Sequence, residues 1–461
     1  MNLNKTYIVA VVAAGALTLG SCNIYQKYET PADTAITRAY VEARSAAPDS
    51  TAIGNLTWEQ VFTDPTLCEY INRALENNTS LRNAMLNVDI AHAQLKGAKL
   101  AYLPSLAIAP NGAGASYAGS TMSWTYTIPA QVSWEIDIFG KLLNSKRSAQ
   151  AAVYQSEAYA QAARSQIISA VANTYYGIAA VRKQLELMRS TSQIWAENVN
   201  TMRDLKEAGR TNEAAVVQSS ANYYSIMGNI KDMETSLDQL NNTMALLLNE
   251  TPRVYDIASV ALDKFQAPAF AGEGVSMTEL AARPDVTASE QALAMAFYAT
   301  NSARAAFYPG LTITANGGFT NLLGSFVKNP GDWFIQLAGS LVAPIFSRGR
   351  NIANLEASKA RQKQALNNFE YTLLSAAAEV SDALTVYENN VAKYGFLEKQ
   401  VAEMERSVSI TNDLLQYADG TYLEVLTAQQ GLLNAQSGAI SCRLNQVQAV
   451  INLYQALGGG R

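Results

Sequence analysis

Histidine is nearly missing from this chain: His92 is the only one in 461 residues. Chemistry that turns on a histidine base or a histidine-bound metal therefore has almost no raw material. His92 itself sits on a helical-looking stretch and reads as a surface or packing residue. Cysteine is scarce as well, with three in all. Cys68 and Cys442 are far apart in sequence, and their spacing alone leaves both a pair and two small half-buried side chains open. There is no HExxH run, no CxxC pair and no Walker A loop, so no cofactor and no metal is expected. Positive charge is in deficit, with a net charge of −5. That balance argues against a nucleic-acid partner. Beyond the N-terminal leader there is no continuous apolar 20-mer, so no membrane-crossing helix is expected.

Proline is thinly and unevenly spread. None of the 12 falls between Pro129 and Pro252 or after Pro344. Proline costs about 3 kcal/mol inside a helix. Two long proline-free stretches, rich in Ala, Gln, Leu, Glu and Lys, are thus free to be helical. The first, about Gly140 to Leu205, would run roughly 100 Å at ~1.5 Å per residue. Ile167, Val171 and Ile178 recur on it at helical spacing, with Ala170 and Ala179 between them. Gly209 then interrupts the pattern, and a second helix follows to about Leu248. The later half repeats the hairpin: a helix from about Asn351 to Tyr417, a turn at Ala418-Asp419-Gly420, and a helix to Leu457.

The N-terminus reads as a leader. Lys5 supplies a positive start, Tyr7 to Leu19 is apolar but short, and Leu19-Gly20-Ser21-Cys22 has the form of a lipobox. Cleavage before Cys22 leaves that cysteine as the lipid-attachment residue; an ordinary signal peptide with an incidental cysteine is the alternative. Stable anchoring takes two acyl chains, each contributing ~0.8 kcal/mol per buried CH₂.

An internal repeat organises the rest. Asn77 to Leu106 aligns without a gap on Ala282 to Leu311. Ala101-Tyr102-Leu103-Pro104 answers Ala306-Phe307-Tyr308-Pro309, and Ile138-Phe139-Gly140-Lys141 answers Ile345-Phe346-Ser347-Arg348. Each half reads helix, strand, strand, long helix, long helix. The expected divisions are a leader over 1–21 and a lipidated linker over 22–55. A first repeat covers 56–252, with strands in 104–138 and a helical hairpin in 140–250. A linker spans 253–277. The second repeat covers 278–461, with strands in 310–344 and a hairpin in 347–457.

The strand segments alternate. Gln131, Ser133, Glu135 and Asp137 interleave with Val132, Trp134, Ile136 and Ile138. Leu311, Ile313 and Ala315 interleave with Thr312, Thr314 and Asn316. Ser105 to Ala109 and Ile335 to Val342 complete four strands. The connecting segments, rich in Gly, Ser and Asn, are read as loops carrying Trp124, Tyr126 and Trp333. Aromatic residues at strand ends suit a membrane interface. Four strands cannot close a barrel, and an open edge cannot face lipid, because each unpaired backbone group costs several kcal/mol there. If the strands lie in a bilayer, several chains must share one barrel. Four strands from each of three chains would make twelve. A helical bundle with a small β appendage is the competing architecture.

At these residues the chain resembles the TolC-like outer-membrane efflux proteins, in particular the lipoprotein branch that serves resistance–nodulation–division (RND) pumps. The similarity runs from about Leu56 to Arg461. It rests on Trp58, Phe62, Asp64-Pro65, Leu67, Ala74-Leu75 and Asn77-Asn78. Trp134-Glu135-Ile136-Asp137-Ile138-Phe139-Gly140-Lys141, Arg283-Pro284-Asp285-Val286, Pro344-Ile345-Phe346 and the end Tyr454 to Gly460 add to it. Arg461 stands where an aromatic residue is usual.

The resemblance implies a mainly α protein with a membrane β-barrel. In that architecture a homotrimer forms a 12-stranded barrel in the outer membrane and a long periplasmic α-helical barrel. It implies a passive, non-enzymatic exit duct for small molecules, partnered by a periplasmic adaptor, an inner-membrane RND-type pump and outer-membrane lipid. It places the adaptor-contacting hairpin tips at Gly209, Arg210, Asp419 and Gly420. Tyr417 and Glu424 fall at the periplasmic gate. Ala418 replaces the glycine expected at the second tip. For Glu424 a solvated helix-face charge, and for Tyr417 ordinary interhelical packing, are the plainer roles. A duct for protein secretion and a structural envelope lipoprotein are the rival functions. A paired-carboxylate enzyme using Asp285 and Glu290 is weaker, since Asp285 reads as a helix start.

Overall fold

The computed structural model describes residues 24–45, 56–116, 118–119, 121–267, 277–322, 332–417 and 421–459. Cys22, Asp419 and Gly420 lie outside the described residues. The helices are α1 (Ala35–Ser45), α2 (Trp58–Val61), α3 (Pro65–Asn77), α4 (Thr79–Leu100), α5 (Lys141–Glu207) and α6 (Glu213–Leu248). They continue with α7 (Ala261–Lys264), α8 (Met277–Ala281), α9 (Pro284–Ala305), α10 (Arg350–Tyr417) and α11 (Tyr422–Ala456). The strands are β1 (Ser105–Ile108), β2 (Asn111–Ala115), β3 (Ser123–Ile136), β4 (Gly310–Leu322) and β5 (Asp332–Val342). α5 and α10 have 67 and 68 residues. Their starts and ends fall within a few residues of those expected from proline placement.

The chain divides into two compact units. The first comprises Met1–Arg38, Leu86–Ala158 and Thr287–Thr372. It is built on one antiparallel sheet in the order β1-β3-β4-β5, with β2 also on β3. The register of β1 and β2 on β3 is continuous: Ile108 faces Ala130, and three residues on Asn111 faces Thr127. They are one strand, interrupted where two prolines meet. Ala109 N–H still donates to Pro129 O at 3.1 Å. Pro129 has no N–H to return. Asn111 Nδ2 reaches the Ala109 carbonyl instead, at 3.4 Å. The sheet is thus four strands wide, as expected. The expectation that failed is the loop reading of Trp124, Tyr126 and Trp333, which lie within β3 and β5. Their glycine-rich neighbours pair because a ladder partner is present, which local propensity does not register.

The second unit comprises Ala39–Met85, Tyr159–Val286 and Leu373–Arg461. Its core gathers Phe62, Ile71, Val171, Ile178, Ile257, Val450 and Tyr454, all essentially sealed from solvent. Asp64-Pro65 starts α3 in the expected way. Asp64 Oδ1 accepts from Thr66 N–H at 2.9 Å, and Pro65 fills a position where no N–H is needed. The other Asp64 oxygen accepts from the Tyr175 hydroxyl at 2.8 Å. Burial, reinforced by that carboxylate, pushes the Tyr175 phenol far above its ordinary range. Cys68 and Cys442 are free thiols. Cys68 points at Phe62 O at 3.0 Å, and Cys442 is buried beside Asn390.

Candidate functional site

The sheet is the first candidate surface. Its register stacks apolar residues on one face across every strand. Leu106 faces Val132, Trp134 faces Ile313, Ile128 faces Phe319, and Phe319 faces Trp333. Thr127, Gln131, Ser133, Thr312, Thr314 and Asn316 line the opposite face. Period-two alternation converts directly into this two-sidedness. The apolar face is bare: Leu106 is 72% exposed, Ile335 76% and Leu337 75%. Covering such a side chain contributes about 1.5–3 kcal/mol, so the face calls for a non-aqueous neighbour. The outer edges, β1–β2 and β5, each have a partner on one side only among the described residues.

The strand-to-helix signature folds into a tight junction at the base of β3. Trp134 Nε1 donates to Tyr102 O at 2.9 Å. Asp137 Oδ2 accepts the Leu143 N–H at 2.7 Å, capping α5. Phe139 stacks on Tyr308 with ring centroids 4.8 Å apart. Gly140 has φ +70°, and a Cβ there would crowd the Tyr25 ring at 3.2 Å. The segment from Ile24 to Gln26 is strapped over this point. Asn144 Nδ2 donates to Ile24 O at 2.9 Å, and Arg147 Nη1 donates to the Tyr25 and Gln26 carbonyls. Tyr25 donates its hydroxyl to Ile138 O. This strap was not foreseen; nothing in the periodicity of residues 24–30 signals it.

The hairpin tips are the second surface. α5 ends in a Schellman motif. Arg210 N–H donates to Leu205 O at 2.8 Å, Gly209 N–H donates to Lys206 O at 2.9 Å, and Gly209 has φ +70°. Asn212 then caps α6 by accepting from Ala215 N–H at 3.2 Å. Lys206 pairs with Glu213 across the turn. Arg210 is exposed. At the other tip Tyr417 is the last residue of α10 and is 78% exposed. Packing therefore does not account for it within one chain.

Glu424 has a defined local role. Its carboxylate accepts from Thr421 N–H at 2.9 Å, and its own N–H donates to Thr421 O at 3.1 Å. This is a capping box on α11. Behind it, Tyr422 packs on the cluster of Trp195, Ile226, Ile230 and Leu426. Burial pushes the Tyr422 phenol up to about 12. Asn198 Nδ2 donates to Gln429 Oε1 at 2.7 Å, tying α5 to α11.

The carboxylates considered for acid–base work are occupied structurally. Asp285 lines a cavity of about 580 Å³ with Glu379, Asp382 and Ser165. It receives Arg283 Nε at 3.0 Å and Nη2 at 2.7 Å. It also begins α9, as foreseen. Glu290 is buried and accepts from the Thr30 hydroxyl. His92 is exposed beside Glu157, at 3.8 Å.

Known proteins share this arrangement. The cation efflux system protein CusC of Escherichia coli O157:H7 is 27% identical over 456 residues, covering 96% of this chain and 97% of that protein. The probable outer membrane lipoprotein SilC of Salmonella typhimurium is 28% identical, covering 96% of each chain. The open state of the Neisseria gonorrhoeae MtrE outer membrane channel superposes with a TM-score of 0.78 at 29% identity, over 90% of this chain and 94% of that one. The outer membrane efflux protein family matches twice, over residues 70–250 and 275–459. With its amphipathic sheet and paired long helices, this chain belongs to the outer membrane efflux protein family.

Proposed function

We propose that three copies of this chain close into one 12-stranded barrel and act as the passive exit duct of a three-part efflux pump. The carrying observation is the sheet: four strands wide, apolar on one face, with both outer edges open among the described residues of a single chain. In hydrocarbon such edges must be paired by a neighbouring copy. Two tandem repeats, 56–252 and 278–461, supply the strands. Their helical hairpins continue the wall into the periplasm as an α-helical barrel.

Cys22 carries the lipid. Support comes from Ile24, two residues on, which is buried and held by Asn144 at the base of β3. Gly209, Arg210, Asp419 and Gly420 form the tips that a periplasmic adaptor grips, and an inner-membrane RND-type pump supplies the energy.

Tyr417 and Glu424 line the closed end. One Glu424 oxygen caps its helix, and the other takes no hydrogen bond among the described residues. Three such oxygens around an axis would favour cations over anions. No side chain performs covalent chemistry in this scheme.

Native mass spectrometry of the detergent-extracted protein, with planar-bilayer recording of the same sample, tests the proposal. A trimer that conducts is expected. A stable monomer, or a trimer without conductance, would overturn it.

A further inference from the structure

The helix-side end of the sheet carries a pattern that the duct itself does not need. At each of the four junctions an exposed or stacked apolar side chain comes first, and a cation stands further from the strand. Leu103 and Leu100 precede β1, with Lys99 and Lys96 behind them. Ile138 follows β3, then Lys141, Lys146 and Arg147. Phe307 precedes β4, with Arg304 behind it. Ile345 and Phe346 follow β5, then Arg348 and Arg350. Ile345 and Phe346 are 97% and 84% exposed, so these apolar groups have no cover within the chain.

Within 11 residues of these strand ends, on the helix side, stand eight Lys and Arg and one carboxylate, Asp137. Asp137 is committed to the Leu143 N–H. Glu135, the last carboxylate inside β3, is taken by Lys141 at 2.9 Å. Lys96, Lys99, Lys146, Arg348 and Arg350 join no ion pair among the described residues. The opposite end of the sheet differs. Residues 109–124 and 319–333 include one cation, Lys328, and one carboxylate, Asp332. Unpaired charge of one sign is therefore concentrated at one edge of the apolar face.

We propose that this collar binds the phosphate groups of anionic phospholipids in the leaflet on the helix side. The proposal rests on the reading of the sheet as a membrane wall. Apolar side chains at the junctions enter the acyl boundary. The Lys and Arg stems run along it and hold their charged ends at headgroup depth. Charge complementarity selects anionic over zwitterionic lipid. The arrangement fixes the depth of the duct independently of the single acylated cysteine.

The test uses the full-length protein extracted from its membrane. It is offered equimolar phosphatidylglycerol and phosphatidylcholine, and retained lipid is counted by native mass spectrometry. Retention of phosphatidylglycerol over phosphatidylcholine is expected, and it should fade at high salt. The combined change Lys96→Gln, Lys99→Gln, Arg348→Gln and Arg350→Gln should lower that retention roughly tenfold or more. The charge-keeping set Lys96→Arg, Lys99→Arg, Arg348→Lys and Arg350→Lys should preserve it. Equal retention of both lipids would overturn the proposal. So would a matching rise in thermal stability from inorganic phosphate alone. Conductance separates this failure from that of the duct: a conducting sample without lipid preference removes only the collar, whereas a protein that never enters a bilayer removes both.

Discussion

At the scale of single residues, Glu424 caps α11 with one oxygen, and its proposed role at the pore can be separated from that cap. Glu424→Gln keeps an acceptor for the Thr421 N–H but removes the charge. Glu424→Ala removes both, at about 1 kcal/mol for a lost cap. Planar-bilayer reversal potentials are expected to show reduced cation preference in both variants, while thermal unfolding shows the larger loss in the alanine variant. Unchanged selectivity would leave Glu424 a cap and nothing more.

Tyr422 offers a second residue-scale test. Its hydroxyl is buried beside Ser219 with no well-formed hydrogen bond among the described residues, and burial raises its pKa from 10.0 to about 12. The folded chain thus keeps a proton that the unfolded chain releases. This contribution is intact below pH 10 and is lost as pH climbs from 10 to about 12. Tyr422→Phe should flatten that part of the alkaline denaturation curve. It should also stabilise the chain by up to ~1 kcal/mol at neutral pH, because an unsatisfied buried hydroxyl disappears.

Between elements, Arg283 is a buried polar tie of the second unit. Only 6% of its side chain is exposed, yet it reaches Asp285 at the start of α9, Glu379 on α10 and the Ala456 carbonyl at the end of α11. Its two carboxylate partners are about half exposed and can rehydrate when it is removed. The cost of Arg283→Met is therefore set at about 2 kcal/mol, below that of a fully buried pair. Differential scanning calorimetry in detergent should show this loss, and the isosteric stem of methionine keeps the packing part small. Arg283 was legible in the sequence only as a motif residue. Asp285 lies two positions on in the same motif, but Glu379 and Ala456 lie about 100 and 170 positions away, and no local pattern names them.

For the whole molecule, the orientation of the sheet decides where it can reside. Leu337 lies at the middle of β5 on the apolar face. Leu337→Lys should cost about 2–4 kcal/mol if that face meets the bilayer midplane. Folding titrations into lipid vesicles would read this directly. A change within ±0.5 kcal/mol, the usual range for an exposed surface position, would place the apolar face elsewhere.

Proline spacing and alanine-rich periodicity alone determined the two long helical hairpins, because an unbroken helix is a local property. Alternation likewise determined that the strands have a wet and a dry side. Tertiary structure decided the rest. Trp124 became a strand residue because β2 pairs with β3, and Tyr126 and Trp333 because β3, β4 and β5 pair. The N-terminal strap exists only because Asn144, Arg147 and Gly140 meet it from more than 100 residues away. The reason is general: periodicity records the face a segment shows, while the partner of that face is fixed by chain topology and by hydrogen bonds between residues distant in sequence.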